Sequence, residues 1–93
     1  MFKVNEDIIR ESIYKYGKQM QTVVCMEELA ELTQALSKQL RGSGNEENLI
    51  EEIADVYICL KMISVMYFVN EKVIEESIKN KQMRTHKRIE GEE

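Results

Sequence analysis

The acidic segment EELAEL at residues 27–32 returns as EEIADV at 51–56. Each acid meets an acid 24 positions further on: Glu27 and Glu51, Glu28 and Glu52, Glu31 and Asp55. Both copies lie in stretches whose apolar residues recur at three- and four-residue spacing, so each belongs to a helix that buries one face. At about 100° per residue, with Glu28 as zero, Leu32 falls at about 40°, Cys25 at about 60°, Leu36 at about 80° and Val24 at about −40°. Glu28 therefore lies inside the apolar arc. Glu31, at about −60°, borders it, and Glu27, at about −100°, faces further toward solvent. The second copy repeats the layout: from Glu52, Val56 and Leu49 lie at about 40° and 60°, Ile63 at about 20°, Cys59 at about −20° and Asp55 at about −60°. Two helices each aim a Glu-x-x-acid pair inward.

The rest of the chain supplies the frame. With no proline, four glycines and 43% apolar residues among 93, helices are expected throughout. Asn5 caps a first helix, NEDIIRESIYKYG, that Gly17 stops. A second helix runs from about Lys18 to Arg41. RGSGNEEN is the one obvious loop, and it leads to a third helix that includes Leu49 through Tyr67. A link that short makes helices two and three antiparallel neighbours. Asn70 caps or kinks the chain before a fourth helix, EKVIEESIKNKQMRTHKRI, which loses apolar character toward a basic end. The expected architecture is one all-α domain over residues 1–93, an antiparallel bundle of about four helices with its basic C-terminal helix at about 71–90. So short a chain buries only a moderate core, which favours assembly with a second copy.

Burying unpaired carboxylates is costly, and four facing one another also repel. Something positive belongs between them. The only lysines near those arcs are Lys38, at the end of helix two, and Lys61 on helix three. A divalent cation is the simpler answer, and oxygen-only ligation suits Mg²⁺ or Mn²⁺ rather than zinc, copper or iron. A di-iron bundle needs Glu-x-x-His pairs, whereas the single histidine, His86, is in the last helix. Glu28, Glu31, Glu52 and Asp55 are the expected ligands. Glu27 is the expected catalytic group, as an acceptor or general base for a water at the ion, although it and Glu51 also read as solvated helix surface.

Other classes are disfavoured. A net charge of −4 argues against a nucleic-acid binder, and the basic stretch between 79 and 88 lacks aromatic or groove-reading partners. Cys25 and Cys59 form no C-x-x-C pair, so neither a zinc nor a disulfide framework is supported, and two free thiols suit a reducing cytoplasm. The most apolar run, Val56 to Val69, is interrupted by Lys61 and too short for a bilayer, and MFKVNEDIIRE has charges too early for a signal peptide. A soluble cytoplasmic protein without membrane association is expected.

The pattern E28-x-x-E31, twenty residues, then E52-x-x-D55 resembles the signature of the all-α nucleoside triphosphate pyrophosphohydrolases, the MazG-like superfamily. Around it, YGKQMQTVVCMEELAELTQALSKQLRG resembles the first motif region of small single-domain MazG-like proteins of bacteria and their phages. KNKQMRTHKRI resembles the group's basic C-terminal helix. The likeness runs from about Tyr16 to Glu90. It implies that the four acids hold Mg²⁺, and that a nucleoside triphosphate is split into monophosphate and pyrophosphate by an activated water. It also implies a dimer or a tetramer built from dimers, with the nucleotide between helices and often touched by a second subunit.

The resemblance further implies basic contacts to the triphosphate from the last helix. Lys81 and Arg84, one turn apart, are the first candidates, with Arg88 and Lys38 behind them. For each of these, and for Lys79 and Lys87, a role in complementing the helix dipole or solvating the surface stands beside the phosphate role. Gln21 can meet a base edge or be an exposed helix residue, and Tyr14 and Tyr16 read equally as packing residues. Without tryptophan, the aromatic base sandwich of some pyrimidine-specific relatives is not evident. A second reading keeps the fold without turnover, as a helical oligomerisation or regulatory module that binds metal or nucleotide.

Overall fold

The computed structural model describes residues 2–91; residues 1, 92 and 93 of the expected domain lie outside them. The described residues form four α-helices and no strands: α1 Glu6–Tyr16, α2 Lys18–Leu40, α3 Glu46–Met66 and α4 Glu71–Ile89. Three helix starts share one chemical device. The side-chain oxygens of Asn5, Asn45 and Asn70 accept from the backbone N–H of Ile8 (3.2 Å), Asn48 (2.7 Å) and Lys72 (2.8 Å), satisfying donors that the first turn leaves over. Gly17, at φ 87°, separates α1 from α2 in a backbone conformation that an L side chain resists, and its N–H closes onto the Ile13 carbonyl at 2.8 Å. The end of α3 has no such residue. Phe68 takes the left-handed conformation at φ 55°, which costs roughly 1 kcal/mol for a side chain with a Cβ. That is why the sequence shows no stop signal there.

α2 and α3 form an antiparallel hairpin. Thr22 Oγ1 lies 2.7 Å from the Tyr67 hydroxyl and 3.8 Å from Met66 Sδ, and Cys25 Sγ lies 3.8 Å from the Cys59 carbonyl. Rising numbers on one helix thus meet falling numbers on the other. α1 lies across the end of this hairpin where α2 begins, and there the core gathers: Ile9, Cys25, Cys59, Met62 and Met66, with Val4, Ile13, Ile63 and Val65 packed around them.

The fourth helix departs from the expected bundle. None of its residues is buried, and it packs along none of the other three. The radius of gyration is 16.1 Å, where a compact chain of this length has about 12 Å. Within one chain the bundle has three helices, and α4 projects from it. The cause is legible in α4 itself, where Val73, Ile74, Ile78, Met83 and Ile89 are diluted by charge, leaving little apolar surface to bury. Among the described residues no helix is long and apolar enough to cross a membrane.

Candidate functional site

Beyond the thiols the same hairpin seam turns acidic. One oxygen from each of Glu28, Glu31 and Glu52 comes within 4.8 Å of the others. The antiparallel register sets the charge of Asp55 beside Glu28 and that of Glu31 beside Glu52. Asp55 therefore adjoins the tight group of three through Glu28. Glu28, Glu52 and Asp55 are half-buried. Glu31 is exposed at the rim, although helical periodicity gives it the same angular position as Asp55, about −60°. Glu27 is exposed on the outer flank of α2 and Glu51 on that of α3.

The electrostatics are one-sided. Burial, followed by the charges of Asp55 and Glu31, pushes the Glu28 carboxyl up to about 7. Glu52 is raised for the same kinds of reason, burial first and then the charges of Glu31 and Asp55. Glu28 Oε2 and Glu52 Oε2 are both shielded from solvent and have no hydrogen-bond partner among the described residues. Buried polar atoms are nearly always satisfied, so two orphans in one cluster of like charge mark a place built for something else.

Lys61, one of the two lysines that the sequence offered as a counter-charge, is engaged elsewhere. Its ammonium lies 2.6 Å from Glu71 and 3.0 Å from Glu6, tying α3 to the starts of α4 and α1. No local pattern announces this clasp, because Glu6 is distant in sequence. Lys38 is exposed in the last turn of α2.

A divalent cation fits the donor set. Carboxylate oxygens are hard ligands, and ligands on one Mg²⁺ at about 2.0–2.1 Å stand roughly 3–4 Å apart, which small side-chain movements reach from the observed spacing. Glu28, Glu31, Glu52 and Asp55 are the residues that would hold it.

Gln21 is not the exposed residue that the sequence suggested as a base-reading candidate. It is 7% exposed, and its Oε1 accepts from the Ser12 hydroxyl at 2.8 Å, joining α1 to α2. A buried amide needs its partner, and tertiary packing consumed the side chain that base recognition would use. Lys81, Arg84 and Arg88 lie exposed on the projecting α4, so packing within one chain does not hold them against the acids. Tyr14 is 94% exposed and Tyr16 is also exposed, so neither is a packing residue within the chain. No family model, curated protein or solved structure matches the chain.

Proposed function

We propose that the protein is a Mg²⁺-dependent nucleoside triphosphate pyrophosphohydrolase of MazG-like type, converting a (d)NTP to its monophosphate and pyrophosphate, with Mn²⁺ as an alternative ion. The observation that carries the reading is the pair of orphaned, solvent-shielded oxygens, Glu28 Oε2 and Glu52 Oε2, inside a cluster of carboxylates contributed by two facing helices. A purely structural protein gains nothing by keeping unpartnered like charges in its helix seam.

When bound, the ion supplies charge neutralisation and positioning for the phosphates, which phosphoryl and nucleotidyl transfer need more than a side-chain nucleophile. The chain's own residues do the rest. Glu28 and Glu52 hold their carboxylates at the seam, Glu31 and Asp55 flank them, and Glu27 is the proposed base toward the attacking water. The proposed phosphate contacts are Lys81 and Arg84, then Arg88 and Lys38. Because α4 projects, its basic groups meet a site most readily in an assembly, and the reading includes a homodimer or homotetramer acting in the cytoplasm. The projection of α4 also gives the second reading its footing: a module that binds metal or nucleotide at the acids without completing the triphosphate contacts.

The test is pyrophosphate release from a panel of standard and modified nucleoside triphosphates and diphosphates with Mg²⁺, Mn²⁺ or chelator. Metal-dependent release with monophosphate as co-product is the expected result. No release across the panel, with metal binding seen by calorimetry, selects the non-catalytic module.

A further inference from the structure

Three features meet where α3 hands over to α4. Arg10, Glu6, Lys61 and Glu71 alternate in charge across three helices: Arg10 Nη2 lies 2.8 Å from Glu6, and Lys61 Nζ lies 3.0 Å from Glu6 and 2.6 Å from Glu71. The Lys61 side chain is only 19% exposed, so water screens its two ion pairs less than it screens a surface pair. Between the helices Phe68 takes the left-handed backbone at φ 55° although it is 92% exposed, so burial of its side chain does not account for the strain. A strained residue without a cysteine, glycine or buried ring to explain it marks a place where the chain can change direction. Beyond it α4 packs along no other helix.

The clasp decides which way α4 leaves. Lys61 lies at about 180° from Glu52 around α3, on the side turned away from the acids, and Glu71 is tied to it there. Without that tie, the link of residues 67–70 is long enough for α4 to lie antiparallel along α3. Helical rise alone sets the register of such a closed form. From Met66, the end of α3, Asp55 and Glu52 lie about 17 and 21 Å back; from Glu71, the start of α4, Lys81 and Arg84 lie about 15 and 20 Å on. Lys81 therefore comes level with Asp55, and Arg84 with Glu52. One turn before Lys81 stands Ile78, and one turn after Asp55 stands Ile58, each 43% exposed, and these two also come level. Three pairs fall into one antiparallel register, two of opposite charge and one apolar.

We infer that α4 is a hinged strap, turning at Phe68, which the Lys61–Glu71 latch holds open and which otherwise closes on the acids of its own chain, Lys81 against Asp55 and Arg84 against Glu52. Closed, it brings from within the chain the positive charge that clustered carboxylates call for. It then stands where a divalent cation would be held, so strap and cation exclude each other. The latch sets the share of chains open to metal. Exposure of Glu31 at the rim and of Lys81 and Arg84 on α4 leaves both surfaces free to meet. The inference rests on the reading that these acids take a divalent cation, and it gives that site an internal competitor.

The experiment is energy transfer between dyes at Ser43, in the α2–α3 loop, and Glu90, at the end of α4, which closure brings together. Doubly labelled full-length chains are diluted into unlabelled ones, so that only transfer within a chain is read. In chelator the wild type should show low transfer. Glu71→Gln, which opens the latch while sparing the Lys61 pair with Glu6, should raise it, Lys61→Met should act in the same direction, and Mg²⁺ should lower it again. A variant closed about nine times in ten binds Mg²⁺ about 10-fold more weakly, since only its open fraction is competent, and calorimetry should read that loss. Adding Lys81→Gln and Arg84→Gln should return both transfer and affinity to wild-type values. Equal transfer in the wild type and Glu71→Gln overturns the strap, as does a weakened affinity that the Lys81 and Arg84 changes do not restore. A wild type that binds no Mg²⁺ overturns the metal reading instead, and the transfer measurement still decides the strap.

Discussion

The two ends of the α2–α3 seam are built from the same helices on the same arc, yet they hold opposite chemistry. At one end Cys25 and Cys59 are 2% and 4% exposed and pack with Met62, Met66 and Ile9. Their thiols stay neutral there, with burial the main cause that raises both and Cys59 pushed up to about 12. At the other end the buried arc delivers Glu28 and Glu52, whose charged neighbours among the described residues are acids and which leave two oxygens without a hydrogen-bond partner there. The first end stabilises the fold, and the second stores repulsion in it. A helix pair that can bury sulfur and methyl groups at one end is free to do so at the other, so the acids are the costlier choice for that place in the seam.

Glu52→Gln tests that contrast most strongly. It should lower turnover by about 100- to 1,000-fold, the scale of several kcal/mol of lost metal-assisted stabilisation. It should also leave the metal-free protein folded and melting no lower than the wild type, because a repulsive buried charge has gone. A collapse of helical content in circular dichroism would instead make Glu52 a structural residue. Met62→Ala acts on the other end. It should cost about 2–5 kcal/mol of stability in denaturant unfolding, and by the same amount with and without Mg²⁺, because it leaves a cavity and no change of charge.

The smallest effect is the pH dependence of the metal-free chain. Glu28 titrates at its ordinary 4.5 when unfolded and at about 7 when folded. Between those values the folded state keeps a proton that the unfolded state has lost, so stability falls as pH rises through that window and levels off above it. Glu52, also raised, contributes in the same direction. In chelator the melting temperature should therefore be lower at pH 8 than at pH 5. Mg²⁺ should raise it chiefly at pH 8, by about 2.7 kcal/mol in stability terms at a hundred times its Kd. A flat profile in chelator, unmoved by metal, would make the acidic end as inert as the thiol end.

Local chemistry made much of this legible beforehand. The asparagine caps at Asn5 and Asn70, the stop at Gly17 and the span of α4 follow from nearby residues, and the structure has them where the pattern put them. The inward direction of Glu28 and Glu52 was readable for the same reason, since helical periodicity fixes angle from residue number alone. Angle says nothing about what stands opposite. The pairing of Glu28 with Asp55 and of Glu52 with Glu31 needed the hairpin register, and the engagement of Lys61 needed Glu6 and Glu71 brought to it from two other elements.

The sequence by itself determined four helices, the caps at Asn5 and Asn70 and the inward direction of Glu28 and Glu52, because capping and periodicity act within a few residues. Only the tertiary structure decided that Gln21 is held in the core by Ser12, that α4 projects from a three-helix body and that the acids are left without a lysine. Those outcomes depend on which distant surfaces win the competition for burial and for each charge, and no local pattern encodes that contest.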